Sequence, residues 1–126
     1  MSLSTPLKKV RGFGSAKSGT EHFWMQRVTA IANVPLVIAT VSCIIYHLGS
    51  SRAEVVASFG NPFVAITVAL TLVSVLWHMR LGMQVIIEDY VQGHALKLAL
   101  LLANTFYTVA LGAAALYAIL RMSFGL

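Results

Sequence analysis

A second cysteine is missing, so Cys43 cannot close a disulfide within the chain. Its place in an apolar run gives it the role of a small packing residue. Charge is scarce as well. Asp, Glu, Lys and Arg make up 10% of the 126 residues, where a soluble domain needs about a quarter to cover its surface. Acids are rarest, four against nine bases, and none precedes Glu21. No folded polar surface is left on which a basic stripe could read nucleic acid, so the net charge of +5 is not a nucleic-acid signal. Residues 1 to 22 contain no apolar core, and no cleaved secretory signal is expected there. The tail is basic and contains serines, as a mitochondrial presequence does, but it lacks an amphipathic stripe. A bacterial tail is the expectation.

What the chain does have is apolar length. Hydrophobic residues make up 58% of it, and they fall into three long blocks, as in a chain whose solvent is lipid. The first block runs from Val28 to Leu48 without a charge. At 1.5 Å per residue it covers roughly 30 Å, the thickness of a hydrocarbon core. Pro35 inside it should kink the helix or free a carbonyl. Residues 49–61 read as a short polar connection. The second block starts at Pro62, a favoured first helical position, and continues to Ile87, where Glu88 and Asp89 end it. The third covers residues 95–120 and closes on Arg121. The expected fold is all-α: an integral membrane protein with three transmembrane helices (28–48, 62–87 and 95–120) behind a basic tail, residues 1–27. Lys8, Lys9, Arg11, Lys17, Arg27 and Lys97 lie on one side, and Arg52 and Arg121 on the other. The positive-inside rule then puts the N-terminus in the cytoplasm (or matrix) and the C-terminus outside.

Ionisable groups at membrane depth are costly and mark function. His78 lies ten residues before Glu88, roughly 15 Å below the inner surface, and Gly82 shares its helical face one turn on. An imidazole can supply an axial nitrogen to haem iron, and the missing side chain leaves room for a porphyrin. The same pair also suits a His hydrogen-bonded to a neighbouring helix, with the Gly for close packing. His22, His47 and His94 do not share the depth of His78, so a second axial ligand must come from another protein. Glu88-Asp89-Tyr90, at the inner end of the second span, combines acid and phenol in a way that suits a quinone: the phenol donates to a carbonyl and the acid manages the proton. Taken singly, such a Tyr is also a belt anchor, and such acids mark the exit from lipid. Arg27 suits lipid headgroups or haem propionates. Arg80, almost opposite His78 on the helix, must snorkel or pair.

The run from His78 to Val91, with Gly82 and Met83 four and five residues after the His and Asp89-Tyr90 eleven and twelve after it, resembles the small hydrophobic anchor subunits of succinate dehydrogenase, respiratory complex II. Arg27-Val28-Thr29-Ala30 is similar to that family's Arg-x-Thr-Ala at the start of its first span. The stretch from Arg11 to Gly19 looks like its alphaproteobacterial members. The resemblance covers nearly the whole chain. It implies a haem b with His78 as one axial ligand, Arg27 near the propionates, and Tyr90 with Asp89 at a ubiquinone site. It also implies a haem-binding bundle shared with a cytochrome b-type anchor subunit, and iron–sulfur and flavoprotein subunits where succinate is oxidised. The implied location is the bacterial inner membrane, with the mitochondrial inner membrane as alternative. Three other readings remain at this point: a fumarate reductase anchor working with menaquinone, a small transporter or channel protomer with His78 and Arg80 along a polar path, and a purely structural anchor without haem.

Overall fold

The computed structural model describes residues 18–125 and consists, over that range, of four helices: α1 (Ser18–Tyr46), α2 (Arg52–Phe59), α3 (Pro62–Tyr90) and α4 (His94–Ser123). The basic residues Lys8, Lys9, Arg11 and Lys17 lie outside the described range. Three of the helices are long and apolar enough to cross a membrane.

The long helices overrun the spans expected from charge alone. α1 begins ten residues before Val28, and α3 continues three beyond Ile87. Loss of apolar character marks where lipid ends, whereas a helix stops only where its backbone bonding is broken, and no Pro or Gly stands between Thr20 and Arg27 or at Glu88-Asp89-Tyr90. At 29 residues, α1 and α3 are each about 44 Å long, longer than the ~30 Å hydrocarbon core of a bilayer. Helix α1 runs through Pro35, which is exposed. It ends two residues earlier than expected. There the His47 ring nitrogen Nδ1 sits 2.8 Å from the Cys43 carbonyl, and Gly49 reverses the chain at φ +85, a backbone region in which glycine avoids the Cβ penalty.

Residues 49–61 are more ordered than a polar connection. Ser51 and Glu54 form a reciprocal capping box: the Ser51 N–H donates to the Glu54 carboxylate at 2.6 Å, and the Glu54 N–H donates to the Ser51 hydroxyl at 3.4 Å. The sequence Ser-x-x-Glu carries that signal. It starts the eight-residue α2. Asn61 then caps α3 by accepting from the Phe63 N–H at 3.0 Å, with Pro62 in the first turn. Between α3 and α4, Lys97 donates its ammonium to the Glu88 carbonyl at 2.7 Å, where a cation meets the negative end of a helix.

Helix α3 is the centre of the arrangement. α1 and α4 each pack along it, and they do not pack on one another. The buried apolar side chains among the described residues (Ala65, Leu76, Leu81 and Ile87) all belong to α3. On one side its contacts with α1 are polar: the Thr40 and Thr71 hydroxyls are 2.7 Å apart, and Thr71 also reaches the Leu36 carbonyl. On the other side the approach is close, because a Cβ at Gly112 of α4 would lie 3.3 Å from Leu76 Cδ1. Asn104 adds a hydrogen bond from its amide to the Arg80 carbonyl, 3.0 Å. Small and hydrogen-bonding residues hold the helices together because lipid gives apolar side chains little reason to leave it. Most large apolar side chains, such as Trp24, Ile31, Ile38, Ile45, Phe106 and Val109, are exposed. Three helices in a row cannot cover them.

Candidate functional site

His78 faces α1, where its Nδ1 is 3.0 Å from the hydroxyl of Thr29. Its ring lines a cleft of about 340 Å³ together with Phe23, Gln26, Arg27 and Ala30. The Arg27 guanidinium stands 5.1 Å from the centroid of the Phe23 ring, within cation–π range. One cleft thus brings together an imidazole and a cation that lay 51 positions apart in sequence. Gly82 takes no part in packing: a Cβ built on it meets nothing within 4 Å. Close approach is the role of Gly112 instead. The space beside Gly82, one turn from His78 on the same face, is open on this chain.

Could these residues hold a haem? The cleft offers a ring nitrogen and a cation for carboxylates, the space over Gly82 one turn on is uncrowded, and that donor set fits. No group of three or more His, Cys, Asp and Glu able to hold a metal ion occurs among the described residues. Any further ligand has to come from elsewhere. The other histidines do not help, since His47 is tied to Cys43 at the far end of α1 and His94 starts α4. His22 is seven residues before Thr29, roughly 10 Å along the helix.

Asp89 and Tyr90 end α3 and are both exposed, Tyr90 to 82%. They are neighbours in sequence but not on the helix surface. At about 100° per residue, Asp89 falls on the His78–Gly82 face. Tyr90 lies about a quarter-turn further round, with Met79, Met83 and Ile86. Tyr90 lines a second, almost wholly apolar cleft of about 590 Å³ between α3 and α4, shared with Met83, Asn104 and Tyr107. Both clefts open on the same flank of α3, because His78, Gly82, Ile86 and Tyr90 progress in one direction around it. Arg80 points elsewhere, with its guanidinium 5.7 Å from the centroid of the Trp77 ring. On this chain His78 and Arg80 therefore do not line one common cleft.

Sequence reasoning passed over the hydroxyl of Thr29 and the lining residues Met79, Asn104 and Tyr107. Thr29 did stand in the Arg27-Val28-Thr29-Ala30 run, but its partner is 49 residues away, and only the packing of α1 on α3 joins them.

The model of the family described as "Succinate dehydrogenase/Fumarate reductase transmembrane subunit" matches residues 1–118. A succinate dehydrogenase hydrophobic membrane anchor subunit of Paracoccus denitrificans is 35% identical over 125 residues, covering 99% of this chain and 96% of the relative. The succinate dehydrogenase membrane anchor subunit of Reclinomonas americana is 34% identical over 94 residues (72% and 78%). The corresponding subunit of Rickettsia bellii is 32% identical over 104 residues (80% and 81%). No solved structure matches the chain. With three membrane-length helices and a match along nearly its whole length, this multi-pass membrane protein belongs to the family of succinate dehydrogenase/fumarate reductase transmembrane subunits.

Proposed function

We propose that this chain is the small membrane anchor of a succinate dehydrogenase, which helps to bind haem b and ubiquinone while electrons from succinate oxidation reach the quinone pool. One observation carries the reading: His78 is oriented by Thr29 in a cleft that also holds Arg27, with open space over Gly82. His78 would supply one axial nitrogen, and Arg27 would neutralise the propionates. A haem b bound there supplies a one-electron redox centre within the membrane. The second axial ligand would come from a cytochrome b-type anchor subunit, which would also cover the exposed apolar flank of α3. Iron–sulfur and flavoprotein subunits would dock at the inner ends of the helices, with the N-terminus cytoplasmic, in a bacterial inner membrane.

At the quinone site, Tyr90 would donate its phenol hydrogen to a quinone carbonyl, and Asp89 would hold or release the proton. The apolar cleft beside Tyr90 suits the hydrophobic part of such a molecule. The division between Asp89 and Tyr90 on the surface of α3 supports a pocket completed by other subunits.

The test is a dithionite-reduced minus oxidised spectrum of the purified complex, wild type beside His78→Ala. A b-type α-band that is lost or displaced in the variant is the expected result. A wild-type complex without any haem band would refute the haem role of His78. The family description also admits a fumarate reductase anchor. Extraction of the bound quinone separates the two, since menaquinone alone would overturn the ubiquinone assignment.

A further inference from the structure

We propose that Thr29 is the positioning residue of His78: its hydroxyl accepts a hydrogen bond from Nδ1–H and so presents Nε2 as the nitrogen with the free lone pair. The inference rests on the reading of His78 as a haem ligand and adds what decides its chemical form.

Thr29 has one hydroxyl proton and three acceptors or donors around it. Its oxygen is 2.7 Å from the Met25 carbonyl, 3.2 Å from the Gln26 carbonyl and 3.0 Å from His78 Nδ1. A threonine inside a helix habitually gives its proton to the carbonyl one turn back, and the 2.7 Å contact is the shortest of the three. With the proton committed to Met25, the oxygen has only lone pairs left for the imidazole. Nδ1 must then be the donor. A neutral imidazole carries one N–H, so Nε2 holds the lone pair. No described residue bonds Nε2.

That tautomer is the one a metal needs at Nε2. The opposite one, with Thr29 donating to a bare Nδ1, would put a proton on the nitrogen required for ligation. Thr29 is also well placed to resist change. It is 7% exposed, it sits two residues after Arg27, and α1 thereby sets both the cation and the ring orientation of the cleft. A hydroxyl acceptor on Nδ1–H also makes the imidazole a stronger donor, which favours the oxidised metal.

Thr29→Val keeps the shape and removes the acceptor, whereas Thr29→Ser keeps the acceptor. In the intact complex, the Val variant should retain haem ~10–100-fold more weakly. Whatever haem it retains should have a midpoint potential shifted upward, and the Ser variant should restore both. A Val variant with wild-type haem retention and potential would overturn the proposal, since a packing role alone predicts no upward shift rescued by Ser. A second measurement does not depend on the Thr29 variants assembling. In the wild-type complex prepared without haem and labelled with ¹⁵N-histidine, the signal lost in His78→Gln should show a protonated Nδ1 and an unprotonated Nε2. The reverse pattern would overturn the proposal. A wild-type complex that never carries haem, yet shows the expected tautomer, would refute the haem reading while leaving the Thr29–His78 bond intact.

Discussion

Replacing either of two glycines by leucine should have opposite consequences, and the difference follows from a few ångströms of structure. At Gly112 the first added carbon already lies 3.3 Å from Leu76 Cδ1, and Leu76 is among the buried residues of α3. A leucine there forces α4 away from α3, at an overpacking cost of about 1–3 kcal/mol, or about 5- to 150-fold in the folding equilibrium. At Gly82 the first added carbon meets nothing within 4 Å. The chain itself then gains helix propensity, up to about 1 kcal/mol on the scale measured in water. The two Gly→Leu variants are therefore separated by about 1–4 kcal/mol in the stability of the helix layer. Haem content should rank them the other way round. Leucine at 82 fills the strip beside His78, so the assembled complex should lose its haem, whereas any haem lost at 112 should track lost protein. Pyridine haemochrome assay per assembled complex, beside thermal inactivation in detergent, reads both quantities. A Gly82→Leu complex with full haem would refute the idea that the porphyrin lies over this glycine. A Gly112→Leu complex as stable as wild type would refute the packing argument.

The Thr40–Thr71 contact should be worth about 0.6 kcal/mol and at most about 1.7, the range for hydrogen bonds between helices in lipid. Thr40→Val should lower unfolding stability by that amount with haem content unchanged. Hydrogen bonds from Ser51 backbone and side chain hold the Glu54 carboxyl below its ordinary value of 4.5, with a smaller contribution from His47. The lowered value means that the capping box is intact above pH 4.5 and is lost as pH falls through the lower folded-state value. Protection of the amides in the first turn of α2, measured against their intrinsic exchange rates, should therefore fall only in acid, and Glu54→Gln, which retains a capping-box side chain, should abolish that fall. Tyr90→Phe removes one hydrogen bond worth about 0.5–1.5 kcal/mol. Succinate–quinone reductase activity should accordingly fall about 2- to 13-fold at limiting quinone, with the haem spectrum unchanged. An unaltered rate would remove Tyr90 from the quinone site.

The sequence determined the solvent of this protein. Long runs without charge can be satisfied only in lipid, and each must close its own backbone hydrogen bonds, so three helices were legible from hydropathy alone. The placement of His78, Gly82 and Asp89 on one face was legible too, because residues on one helix need no tertiary information to share it. The capping box at Ser51–Glu54 was present in the letters and was covered by the polar look of the loop. Tertiary structure alone decided the rest. It chose α3 as the central helix, and gave the close approach to Gly112 while leaving Gly82 open. It turned Tyr90 into a different cleft from Asp89's face, and it brought Thr29 to His78 across 49 residues. The physical reason is that hydropathy fixes how each helix meets lipid but says little about which helix it meets. In a membrane that choice falls to a few small and hydrogen-bonding side chains, whose partners have no regular spacing along the chain.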